Sequence, residues 1–88
     1  VRLILYAKPG CHLCDVIKLD LLDLQAEFGF DLVEYNILEN EALHDAYFLT
    51  IPVVEIRADA DGDAKPVLLK APISQIELRR EIKRLSGR

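Results

Sequence analysis

Between two short strand-like runs, residues 3–7 and 31–37, the large apolar side chains Leu13, Ile17, Leu21, Leu24 and Phe28 recur at spacings of four, four, three and four. This is the period of an α-helix with one buried face, and Asp20, Asp23 and Glu27 fall on another side. A helix between two strands restricts the topology: the strands lie parallel in one sheet and the crossover is right-handed. Pro9-Gly10 opens the helical stretch and Gly29 closes it, so a helix is expected over 12–28. Residues 39–46 read as a short helix with Leu43 and Tyr47 facing inward. Val53–Arg57 and 65–69 read as a hairpin whose loop is the Asp/Gly-rich stretch 59–64. In the last segment Ser74 and Glu77 have the spacing of a capping box, Ile73 and Leu78 that of a hydrophobic staple, and Leu78, Ile82 and Leu85 form one stripe. The element order is βαβαββα, an α/β arrangement without repeats or linkers.

A chain of 88 residues is expected to be a single domain over residues 1–88, and 51% hydrophobic content suffices for a core without metal or disulfide staples. Its two cysteines, Cys11 and Cys14, are too close together to constrain much of the unfolded chain, which argues against a disulfide-rich secreted scaffold. A reducing compartment, the cytoplasm, is the expected location. No apolar stretch approaches the roughly 18 residues of a membrane span, and the opening apolar run is too short for a signal peptide. Net charge is −4, yet residues 79–88 hold five basic side chains and one acidic. Arg79, Arg80, Lys83 and Arg84 are read as cations complementing a helix C-terminus. The acidic remainder would repel a nucleic-acid backbone, and neither nucleic acid nor membrane is expected as a partner.

The cysteines form Cys11-His12-Leu13-Cys14 at a strand-to-helix junction, a spacing shared by dithiol active sites, zinc sites and structural disulfides. Cys11 falls at the helix N-terminus, where unpaired N–H groups and the helix dipole favour a thiolate. Cys14, three residues before Ile17, lies on the buried side. This placement divides the labour: Cys11 attacks a substrate disulfide and Cys14 resolves the mixed disulfide. Lys8 adds a nearby cation. His12 has two readings, a tuner that lowers the Cys11 pKa and a solvated first-turn residue; Asp15 reads as a favourable charge at a helix start, and His44 as a surface residue. Zinc would need Cys11, His12, Cys14 and His44, but adjacent Cys11 and His12 suit a tetrahedral site badly and no second Cys-x-x-Cys completes one. The stretch 59–63 looks like the start of an EF-hand loop, but Ala64 stands where glycine is required and Lys70 where the bidentate Glu belongs, so a hairpin turn and no bound metal are expected.

Tyr6-Ala7-Lys8-Pro9-Gly10-Cys11-His12-Leu13-Cys14 resembles the active-site segment of glutaredoxins, Tyr-x-Lys-Pro-x-Cys-x-x-Cys, and Thr50-Ile51-Pro52-Val53 resembles their Thr-Val-Pro segment. Cys-His-Leu-Cys-Asp with Ile-Pro-Val is similar to a small glutaredoxin-like branch. The resemblance implies a thioredoxin fold of glutaredoxin-like βαβαββα order, a four-stranded mixed sheet flanked by three helices. It further implies a cis bond before Pro52 and pairing of the Ile51 backbone with the substrate's cysteinyl peptide unit. Glutaredoxins carry Pro-Tyr or Pro-Phe between the cysteines, whereas His12-Leu13 stand here. They carry Gly-Gly and Asp before the last helix to receive glutathione, whereas this chain reads Lys70-Ala71-Pro72-Ile73-Ser74. Pro72 removes an N–H donor, although Ser74 and the helix start behind it retain the means to take a carboxylate.

The expected function is a thiol-disulfide oxidoreductase acting on protein disulfides or glutathione mixed disulfides. Cys11 and Cys14 are its catalytic residues, with Lys8, Ile51 and Pro52 at the substrate site. No permanently bound cofactor is expected; glutathione, as co-substrate, or a dithiol reductase supplies electrons to a monomer. The competing reading is a non-enzymatic binding or adaptor module whose cysteines are incidental or hold a metal or an iron-sulfur cluster.

Overall fold

Every residue from Leu3 to Ala7 is buried, as expected of a strand covered on both faces and unlike the alternation of a half-exposed one. In the computed structural model, which describes residues 1–58 and 65–86, this strand, β1 (Arg2–Ala7), lies inside a four-stranded sheet. The others are β2 (Asp31–Asn36), β3 (Val53–Arg57) and β4 (Val67–Lys70), in the order β2-β1-β3-β4. β1 and β2 are parallel, with Leu3 opposite Leu32. β3 runs antiparallel to β1, pairing Leu5 with Val54, and β4 antiparallel to β3, pairing Ile56 with Val67. The α/β thioredoxin-like architecture, a mixed sheet with three helices, is therefore the one observed.

Alternation of side chains across the sheet divides the core. Leu3, Leu5, Val54 and Ile56 share one face with Ile17, Leu21 and Leu24 of α1 (His12–Phe28) and with Leu78 and Ile82 of α3 (Gln75–Ser86). Ile4, Tyr6 and Val53 point to the other face, where Ile37 and the half-buried Leu43 and Tyr47 of α2 (Glu41–Tyr47) cover them. Burial of such a side chain contributes about 1.5–3 kcal/mol, so this two-sided core is what holds the sheet between its helices.

Some local readings need correction. Leu13 does not face the core but is 58% exposed, because the buried stripe of α1 begins one residue later with Cys14. The expected strand 31–37 ends at Asn36, and the short helix expected over 39–46 is two pieces, a 3-10 turn Ile37–Glu39 followed by α2. Two asparagines make the break: Asn36 Oδ1 accepts the Leu38 N–H at 2.9 Å and Asn40 Oδ1 the Leu43 N–H at 3.1 Å. Arg79 does not sit in the last turn of α3; it pairs with Glu27 and lies 5.8 Å over the Phe28 ring, tying α3 to α1. The last-turn cations are Lys83 and Arg84. The expected hairpin strand 65–69 is found as Val67–Lys70, while its loop 59–64 lies outside the described residues.

Candidate active site

The C-terminal end of β1 runs into Lys8-Pro9-Gly10, and Gly10 takes φ 78°, a left-handed backbone that glycine adopts without steric cost. That turn delivers Cys11 to the N-cap of α1 with extended φ −95° and ψ 105°. Its side chain does what Ser or Asn does at other helix starts: Sγ accepts the Cys14 backbone N–H at 3.2 Å. The Cys11 carbonyl accepts the Asp15 N–H at 3.1 Å. The two cysteines form a disulfide with Cα atoms 5.2 Å apart, inside the range a disulfide spans. They are unequal in access, for Cys11 is half-buried whereas Cys14 is only 2% exposed in the core. Lys8 and His12 are both exposed beside them.

The second segment reaches the site from across the sheet. The Ile51–Pro52 bond is cis, Pro52 is buried, and its carbonyl accepts the Ala71 N–H at 3.2 Å. Tyr6 pairs with Val53, so the cis-proline segment lies at the end of β1 that leads into the cysteine loop, and Cys11, Ile51 and Ile73 are each partly buried against one core cluster. The Ile51 N–H is already given to the Tyr47 carbonyl at 3.0 Å, beside the Thr50 N–H at 2.9 Å. Of the two Ile51 backbone groups expected to meet a substrate, the carbonyl is the one without such an engagement among the described residues. A second cis bond, Ala71–Pro72, lies on the α3 approach. At the start of α3 the Ser74 Oγ accepts the Glu77 N–H at 3.1 Å, as the capping-box spacing implies, with Ile73 half-buried and Leu78 fully buried on either side.

Other candidates stand apart. His44 stacks on Phe48 at 5.2 Å and lies 3.6 Å from Asp45, away from the cysteines in α2. Among the described residues no group of three or more His, Cys, Asp or Glu side chains is arranged to hold a metal ion. One polar centre escaped the sequence reading. Glu55, in the middle of apolar β3, is 7% exposed; it accepts the Tyr6 hydroxyl at 3.4 Å and pairs with Arg57. Burial, and after it the negative charge of Glu55, pushes the Tyr6 phenol up to about 12. A lone acid inside Val53–Arg57 was the available signal, but its partner Tyr6 lies 49 residues away.

These features meet in a recognisable lineage. The solved structure of target protein XcR50 from X. campestris is similar at 28% identity, with TM-score 0.70, covering 93% of this chain and 96% of that one. Thioredoxin 1 from Thermosipho africanus TCF52B gives TM-score 0.75 at 18% identity, over 96% of this chain and 92% of its own. Mitochondrial thioredoxin 3 from Saccharomyces cerevisiae, in its oxidised form, gives 0.70 at 16%, over 94% and 76%. No curated protein matches the chain significantly. The likeness to the thioredoxins is one of fold, and a Cys-x-x-Cys pair at disulfide distance on that fold suggests a redox function. The model of one family, described as Glutaredoxin-like domain (DUF836), matches residues 2–83, and the chain belongs to that family.

Proposed function

We propose that the protein is a thiol-disulfide oxidoreductase that reduces protein disulfides or glutathione mixed disulfides. The observation that carries this reading is the asymmetry of the pair: Cys11 partly accessible at the N-terminus of α1, Cys14 buried one turn on. In the disulfide form the Cys14 N–H reaches the Cys11 sulfur at 3.2 Å, and in the reduced protein the helix dipole and this donor favour the Cys11 thiolate. It attacks one sulfur of the substrate disulfide, forming a mixed disulfide and releasing a thiolate that takes up a proton. Cys14 then loses its proton and attacks Cys11, closing the Cys11–Cys14 bond and freeing the second substrate thiol. Two electrons pass from dithiol to substrate.

Lys8 favours the thiolate by its charge, and His12 adds to this when protonated. Pro52 shapes the substrate site, and the Ile51 carbonyl accepts an N–H from the substrate's backbone. No cofactor is held permanently; two glutathione thiols or one dithiol reductase return the electron pair. The protein works as a monomer in a reducing compartment, the cytoplasm.

The test compares reduction of a glutathione mixed disulfide with reduction of a protein disulfide by wild type, Cys11→Ser and Cys14→Ser. Cys11→Ser is expected to fall to background on both. Activity of Cys14→Ser on the mixed disulfide alone indicates a monothiol glutathione route, and its loss on both a dithiol route. A fully active Cys11→Ser protein, or a wild type inert towards every disulfide, overturns the reading.

A further inference from the structure

An open groove of about 840 Å³ curls round the C-terminal ends of the parallel strands β1 and β2, the end of an open α/β sheet at which ligands bind. Its wall includes Lys8, Pro9 and Asp15 from the segments flanking the cysteines, Glu34 and Tyr35 of β2, and Glu39 of the 3-10 turn. Lys8 and Pro9 belong to the loop that leads into Cys11, so the groove runs along that loop although neither cysteine lines it.

Its chemistry selects the occupant. Tyr35 stacks against Tyr6 with centroids 5.9 Å apart and is nevertheless 45% exposed, so the ring presents an aromatic surface to the groove. Three carboxylates line the groove against the one cation of Lys8. Glu34 is occupied by Lys18 at 2.9 Å, and Asp15 acts on the same lysine only through its field. Glu39 has no ion pair among the described residues. An anionic ligand would meet uncompensated carboxylates here, whereas a guanidinium can lie on a tyrosine ring and fork onto a carboxylate together.

We propose that this groove takes a cationic side chain, arginine above lysine, lying a few residues from the attacked cysteine of a polypeptide substrate. The proposal rests on the oxidoreductase reading above and names its substrate class; docking itself changes no bond, and the exchange steps are those already given.

Three peptides identical except for Arg, Gln or Glu beside a single cysteine, each blocked as a mixed disulfide with a small chromogenic thiol, provide the test. Rates with the full chain are normalised to uncatalysed reduction of the same peptide by dithiothreitol, which removes any intrinsic effect of the flanking charge. The Arg peptide is expected to exceed the Gln peptide in kcat/KM about five- to tenfold at low salt, mainly through KM, with the Glu peptide slowest. Added salt shrinks the ratio, and Asp15→Asn with Glu39→Gln lowers it, while Asp23→Asn with Asp31→Asn, an equal charge change outside the groove, leaves it. In parallel, the same peptides with Ser for Cys are titrated into the protein while its backbone amide resonances are followed. Saturable shifts at Tyr35 and Glu39 with the Arg peptide alone support the groove; equal normalised rates, or no saturable shift there, overturn it. Should no peptide be reduced, the oxidoreductase reading falls and the Ser-peptide titration still decides the groove.

Discussion

Tyr6 opens the segment that carries the cysteines, yet it packs on the other face of the sheet, where its hydroxyl meets Glu55. With its phenol pushed up to about 12, chiefly by burial, the folded protein binds this proton more tightly than the unfolded chain, whose tyrosines titrate near 10. The sign follows: the contribution is fully present below pH about 10 and is lost as pH rises through about 12. Subtracting the phenolate absorbance titration of Tyr6→Phe from that of wild type should leave a transition near 12. The variant should also lose less stability than wild type between pH 10 and 12 in urea melts. A difference transition centred near 10 contradicts the burial account. Glu55 itself shows why part of the molecule was not legible in the chain: Arg57 is its neighbour two residues along the same strand, but its burial against Tyr6 depends on a residue 49 positions away.

Among the elements, those whose ends are punctuated by local chemistry match the expectation best. α1 starts after Pro9-Gly10 and ends at Gly29, whose φ of 72° and N–H bond to the Gln25 carbonyl at 2.8 Å close the helix. A Cβ at Gly29 would meet nothing within 4 Å, so Gly29→Ala tests backbone conformation alone and should cost about 1–2 kcal/mol in chemical denaturation. Ser74→Ala removes the acceptor of the Glu77 N–H and should cost about 1 kcal/mol in the same measurement. The Gly29 cost should appear without loss of the Cys11–Cys14 chemistry, since Gly29 closes the opposite end of α1 from Cys11. The region 36–47 was read less well because Asn36 and Asn40 are ordinary loop residues in sequence. Only once the backbone turns do their side chains take up N–H groups and divide the segment. Leu13 was misplaced for a related reason, as spacing alone fits it to the stripe as well as Cys14, and the docking angle of α1 chooses between them.

On the scale of the molecule, the core is built from both sheet faces, with Cys14 as one of its members, and owes little to the disulfide bond. A crosslink closing so short a loop stabilises the fold by about 2 kcal/mol or less, so reduction should leave the far-ultraviolet circular dichroism intact. Unfolding on addition of dithiothreitol would show that the disulfide is structural and would remove the main support for a redox cycle. The order of strands and helices, the helix-start position of Cys11 and the inward side of Cys14 were determined by the sequence alone, because periodicity, glycine and proline placement and cap spacing act within a few residues. Tertiary structure decided what depends on elements distant along the chain: the placing of the cis-proline segment beside the end of β1 and the buried Tyr6–Glu55 contact. The groove shared by Lys8, Tyr35 and Glu39 belongs with these. Such contacts depend on how the sheet twists and how its helices dock, and no local pattern encodes the distance between two elements.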